Sequence, residues 1–213
     1  MRRWMLVVGF APVLLVFSGA ALWRVWPSPP PPQTREVAIG GLRLHFASAY
    51  LRAGPAEPNR ADLVVLAPDF APAAADPRRL PGAGETDRTG AAQVFITLTP
   101  ASGEAGAVAP ADRYAPYLGS DVQVSEGGLL RRRFESVSPF AGEDFYYNAP
   151  DGQEFSARCQ RPKIPDDGLP AVCLAHFAVE SLDLALRFDP KWLPQWTSLR
   201  ANALLLARGA IRP

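Results

Sequence analysis

Few side chains in this 213-residue chain are of the kinds that carry out chemistry. Histidine, the commonest general base, occurs only as His45 and His176. Each stands in an alternating run on the side opposite the apolar residues, where a solvated surface imidazole is expected. Neither has a serine or cysteine nucleophile in a recognisable local frame, and GxSxG, HExxH and the phosphate-binding P-loop are missing from the sequence. A serine–lysine pair would have to use Lys163 or Lys191, since every other basic side chain is arginine. Carboxylates are plentiful: Asp62, Asp69, Glu143, Asp144, Asp151, Glu154, Asp166 and Asp167. Two of them flanking a glycosidic bond would make a hydrolase, but nearly all fall at turns, where acidic residues are common for conformational reasons. No catalytic residue, metal or cofactor is assigned.

The two cysteines, Cys159 and Cys173, lie in "FSARCQRPKIPDDGLPAVC". No CxxC frames a redox pair and no CxxCH frames a haem. Cys173 and His176 are three residues apart, which on a strand puts them on opposite faces and prevents them from sharing a zinc ion. A disulfide fits better. Phe155, Ala157 and Cys159 share one face of a strand, and Cys173, Ala175, Phe177 and Val179 share one face of the next, so both sulfurs point into one core. Closing a loop of this length is worth about 3 kcal/mol in the chain-entropy model. Such a bond implies an oxidising compartment.

The N-terminus supplies the route to one. "WMLVVGFAPVLLVFSGAALW", Trp4 to Trp23, carries no charge and as a helix spans about 30 Å, the thickness of a hydrocarbon core. Arg2 and Arg3 precede it, and the positive-inside rule leaves them in the cytoplasm. Trp4, Trp23 and Trp26 stand where interfacial aromatics belong. Residues 1–26 therefore read as a transmembrane anchor; the alternative is a signal peptide cleaved after Ala20 at "SGA". Residues 27–35, beginning "PSPPPPQT", read as a polyproline spacer of roughly 25 Å. Residues 36–213 are then a periplasmic domain of an inner-membrane protein. Without Arg2, Arg3 and Arg24 the charge balance turns slightly acidic, so a nucleic acid is not the expected partner.

The exported part is expected to be α+β. "VAIGGLRLHF" reads as a tight hairpin about Gly40 and Gly41. "ADLVVLAP", "AQVFITLT", "AVCLAHFAV" and "SLDLALRF" read as strands, and "EDFYYNAPDGQEFSARC" as two strands around a turn at residues 149–152. "LLRRRFE" reads as a polar strand at a sheet edge. Eight or nine short strands imply an antiparallel sheet or a sandwich. Residues 68–90 and 100–111, rich in Ala, Pro and Gly, read as mobile surface loops, with a helical turn over 114–118. A C-terminal helix is expected to start at Pro194, to bury Trp196, Leu199, Ala203 and Leu206, and to be capped by Gly209.

Two surface features point to interaction. Phe145, Tyr146 and Tyr147 cannot all face one core, so at least one aromatic is expected on display, where tyrosine favours interfaces. Arg131, Arg132 and Arg133 offer a patch for a headgroup or an anionic glycan, or else guard an edge strand against aggregation.

Four stretches, "IGGLRLHF", "DLVVLAPD", "FSARCQ" and "LALRFDPKWLPQW", together resemble a group of small membrane-anchored periplasmic proteins of proteobacteria with no known activity. The likeness runs from about residue 36 to 200 and implies an anchor and an exported domain, with no functional residue to carry over. The expected function is thus non-enzymatic: an interaction domain that binds an envelope protein as an accessory or assembly subunit. The alternatives are a carboxylate-based glycan or peptide hydrolase and a domain that senses a small ligand.

Overall fold

A computed structural model describes residues 33–52, 57–73, 93–102, 108–162 and 171–211. The apolar run with Trp4, Trp23 and Trp26, the proline run to residue 32, Asp166 and Asp167 lie outside them. Among the described residues no helix is long and apolar enough to cross a membrane.

The first strands, β1 (Thr34–Ile39) and β2 (Leu42–Ala47), pair only with each other. Gly40 and Gly41 join them with φ of 56° and 86°, a left-handed pair that a two-residue hairpin needs and that side chains resist. Among the described residues strand structure thus begins at Thr34, one residue before the expected end of the spacer.

Nine further strands make one continuous antiparallel sheet: β3 (Ala61–Leu66), β4 (Ala71–Pro72), β5 (Gln93–Pro100), β6 (Leu118–Val124), β7 (Leu130–Phe134), β8 (Glu143–Tyr147), β9 (Ser156–Gln160), β10 (Cys173–Val179) and β11 (Leu182–Phe188). Their spatial order is β4-β3-β5-β11-β10-β9-β8-β7-β6. Between the sheet and sandwich alternatives the chain adopts the single sheet. The "LLRRRFE" segment forms β7, which is not at the edge. That place belongs to β6, "LGSDVQV", whose polar composition hides it from pattern reading because only Leu118 is buried.

Alternation decides what each strand buries. Leu182, Leu184, Leu186 and Phe188 of β11 face inward with Cys173, Ala175, Phe177 and Val179 of β10, with Leu63 and Val65 of β3, and with Val94, Ile96 and Leu98 of β5. The hairpin and helix α2 (Trp196–Ile211) pack against this apolar face. We call it the near face.

Before α2 the chain turns through a 3₁₀ segment, Pro190–Gln195, opened by the Asp189 carboxylate accepting from the Lys191 N–H at 2.9 Å. Pro194 lies inside that segment, so the α-helix starts two residues later than expected. Its buried stripe is Leu199, Ala203, Ala207 and Ala210 with Leu204, rotated from the expected one; Trp196 and Leu206 are only partly covered. Gly209 does not end the helix, which continues to Ile211. Trp196 donates its indole N–H to the Gly127 carbonyl at 3.0 Å. Gly127 has φ of 78°, and a Cβ there would stand 2.8 Å from the Pro194 backbone, so only glycine closes this joint.

The short helix α1 (Pro110–Tyr114) and the 3₁₀ turn Ala115–Tyr117 cover the other end of the sheet from its opposite, far face. A second cluster forms there from Leu118, Phe134, Phe145 and Tyr147, with Tyr114 and Phe140 against it.

Candidate functional site

Register places Cys159 of β9 directly opposite Cys173 of β10, and the two are disulfide-bonded with Cα atoms 4.0 Å apart. The neighbouring pair exchanges a ladder bond, Gln160 N–H to Val172 C=O at 3.0 Å, which leaves the cysteines at a non-hydrogen-bonded position where strands approach most closely. Face parity read from the sequence predicts this bond correctly.

Cysteine chemistry ends there, but the row of side chains does not. On the near face Phe188, Cys173, Cys159, Asp144 and Arg133 follow one another across β11, β10, β9, β8 and β7. One row over, the series Leu63, Ile96, Leu186, Ala175, Ala157, Tyr146, Arg131 and Gln123 runs from β3 to β6. The first row turns from apolar to charged at Asp144 of β8 and the second one strand later, at Arg131 of β7. Asp144 marks the change: it is only 3% exposed, the one buried polar or charged residue among those described.

Burying a carboxylate is costly unless cations and donors surround it. Arg131 supplies the closest, donating both Nε–H, at 2.9 Å, and an NH2 proton to Asp144 Oδ2. The Arg131 pKa is raised by that hydrogen bond, and its guanidinium also lies 6.0 Å from the Tyr146 ring centroid. Arg133 and Arg161 approach the other oxygen: each Nε stands 3.8 Å from Asp144 Oδ1, too far for a hydrogen bond. Oδ1 and Arg161 Nε have no hydrogen-bond partner among the described residues, although both are shielded from solvent. Arg161 is held in place through its backbone, which donates to Gly142 C=O at 2.9 Å, and by the disulfide two residues earlier.

Arg131, Arg133 and Arg161 line a groove of about 590 Å³ at the β6 edge, with Asp121, Gln123, Glu135 and Ser136 on its other walls. The opening sits where the β6–β7 register breaks between Leu118 and Val122.

Arg132 takes no part in the groove. Alternation turns it to the far face, where its guanidinium donates to the Gly119 and Leu118 carbonyls freed by that break, so it supports the edge. The three consecutive arginines are therefore not one patch: Arg131 and Arg133 flank the groove and Arg132 braces the strand behind it.

The expectation for the aromatic triplet is corrected too. Phe145 is fully buried and Tyr147 nearly so, stacked on each other in the far-face cluster with ring centroids 5.1 Å apart. Tyr146 faces the opposite way and packs partly buried against the near-face core, its phenol pKa raised by that burial. Phe145 and Tyr147 find full cover and Tyr146 only part of it because the sheet is covered on both faces at β8, a possibility that a one-core argument omits.

The remaining sequence-derived candidates are dispersed. Asp62 pairs with Arg60 and accepts from the Thr97 hydroxyl at 2.7 Å. Glu143 and Asp144 are adjacent in sequence but lie on opposite faces, Glu143 beside Arg158 at 3.5 Å. Asp151 accepts from the Gln153 N–H in its turn. His176 lies on the far face, its pKa lowered by desolvation and then by Arg158. Among the described residues no three His, Cys, Asp or Glu side chains gather as a metal site would require.

Sequence reasoning missed Asp121, Gln123, Glu135, Ser136 and Arg161 of the groove, and Arg161 is the one with a readable signal. Its signal was parity: it stands two residues beyond Cys159 and so shares the face of the disulfide.

A fold of this kind, with one large antiparallel sheet and a C-terminal helix, has a counterpart among solved structures. No protein-family model and no curated protein matches the chain. An immunity protein of the Stenotrophomonas maltophilia type IV secretion system is similar in structure, with a TM-score of 0.59. The match covers 84% of this chain and 93% of that one at 14% sequence identity.

Proposed function

We propose that this chain is a non-enzymatic, membrane-tethered immunity-type protein whose exported domain binds a polypeptide delivered by a secretion system and blocks its action. The observation that carries the reading is the fold likeness to an immunity protein over nearly all of that protein's length. The groove beside Asp144 agrees with it, being an open charged concavity at a sheet edge. In this reading the apolar run of residues 4–23 spans the inner membrane once with its N-terminus in the cytoplasm, and the body stands in the periplasm. The resemblance to membrane-anchored periplasmic proteins supports that placement, and the Cys159–Cys173 disulfide suits an oxidising space.

Two measurements test the proposal. A reporter enzyme that works only outside the cytoplasm, fused at the C-terminus, is expected to be active; activity of a cytoplasm-only reporter there would refute the placement. Co-expression with exported effectors of the secretion system encoded in the same genome is expected to restore growth against one of them, with direct binding by the full chain in detergent. A chain that protects against none of these effectors and binds none would refute the immunity reading.

A further inference from the structure

The immunity reading leaves open which group on the partner is recognised, and the groove narrows the choice. We propose that Arg133 and Arg161 form a carboxylate-binding fork that receives an acidic side chain of the polypeptide partner; this rests on the immunity reading for the partner's nature.

Three features support it. First, the cations are not used up by the described residues. Arg131 is committed to Asp144 Oδ2, whereas Arg133 and Arg161 reach Asp144 only at 3.8 Å, and their side chains remain 65% and 32% exposed. Second, they are preorganised. Strand β7 fixes Arg133, the Gly142 carbonyl and the disulfide fix the backbone at Arg161, and buried Asp144 draws both Nε atoms towards one point. The backbone at both arginines thus has little freedom left to lose when a ligand arrives.

Third, the charge balance selects the ligand. Asp144, Asp121 and Glu135 equal the three guanidinium groups of the groove in number, so the formal charge there is zero. A dianionic phosphate would meet the rim carboxylates without enough positive charge to compensate. A carboxylate brings a single charge and two coplanar oxygens, which match the donors of a guanidinium.

The test uses the full chain in detergent micelles, with arginine Nε–H resonances followed by NMR. A short glutamate-rich peptide is titrated against its glutamine counterpart, inorganic phosphate, and vesicles containing anionic phospholipid. The glutamate peptide is expected to shift the Arg133 and Arg161 signals and the glutamine peptide to leave them unmoved. Arg133→Gln and Arg161→Gln should each weaken binding about tenfold, the loss of a hydrogen bond to a charged group. Arg133→Lys should fall between, and Arg43→Gln, at an exposed pair with Glu36 remote in sequence, should bind like the unaltered chain. Thermal melts of each variant separate lost binding from lost folding.

Absence of any shift, unaltered binding by both glutamine variants, or capture of phosphate or vesicles through these arginines in place of the peptide would overturn the fork. Growth protection separates the two levels. Protection that survives Arg133→Gln with Arg161→Gln rejects the fork and keeps the immunity reading, whereas a wild-type chain that never protects rejects that reading while the titration still judges the fork.

Discussion

From β3 to β9 the sheet keeps its apolar side chains on the face that carries the hairpin and α2; from β8 to β6 its main cluster lies on the other face. Both regions share one ladder of backbone hydrogen bonds. The central region is mainly aliphatic, built on Leu, Ile and Val from four strands with phenylalanines such as Phe155 and Phe177 among them, and closed by a helix. The edge region is aromatic and shallow, with Tyr114 meeting Phe134 and Phe140 edge to face at 5.5 and 5.3 Å. Backbone pairing fixes neighbours but not which face is buried. A core can change sides between adjacent strands, provided that the abandoned face is made polar and its charges are paired. Asp144 and its arginines do this, and the same substitution of charge for hydrocarbon opens the groove.

The comparison breaks first where each cluster is hollowed out. Phe145→Ala should cost about 3–5 kcal/mol. Hydrogen exchange should then show β6, β7 and β8 losing protection while β5 and β11 keep theirs; uniform loss would show that the two regions unfold as one. The disulfide ties β10 to β9, the strand of the central region that borders the edge region. Replacing Cys159 and Cys173 by serine should cost about 3 kcal/mol, read from chemical denaturation, and should broaden the Arg161 resonances.

A smaller loss tests the polar face. Arg131→Ala leaves the buried Asp144 carboxylate with two distant cations, and a penalty of about 1–3 kcal/mol is expected, softened because Arg133 and Arg161 remain. Arg131→Lys should recover only part of it, since lysine cannot donate through two nitrogens.

The smallest effect belongs to His176, on the far face of the central region. Its folded pKa lies below the unfolded value, so the unfolded chain binds more protons as the pH falls through about 6.5. Stability should therefore be lost on acidification below that point and be independent of this group above it. Arg158, Arg187 and Arg113 oppose its protonation and Asp183 favours it. His176→Gln should flatten the slope in melting temperature against pH between about 5 and 7.

The central region was legible from the sequence, and the reason is physical. With one buried face, period-two alternation names the inward residues outright, as in Leu182 to Phe188, and the same parity brings Cys159 to Cys173. The edge region was not legible, because "EDFYY" carries apolar groups on both faces and "LGSDVQV" on hardly any. Alternation cannot assign a face when both are covered, and it cannot find a strand that buries a single residue. Arg131 to Arg133 looked like one patch for a related reason: composition counts charges, and only register separates them.

Strand order also has a consequence for how the chain is made. From β6 to β11 each strand pairs with the next in sequence, a meander that can assemble as it emerges. Strand β5, by contrast, lies against β11, which comes after all of β6 to β10 in the chain. Strands β3 and β5 must wait with their valines and leucines uncovered until β11 has emerged, and through that interval a holding chaperone would have the most to grip.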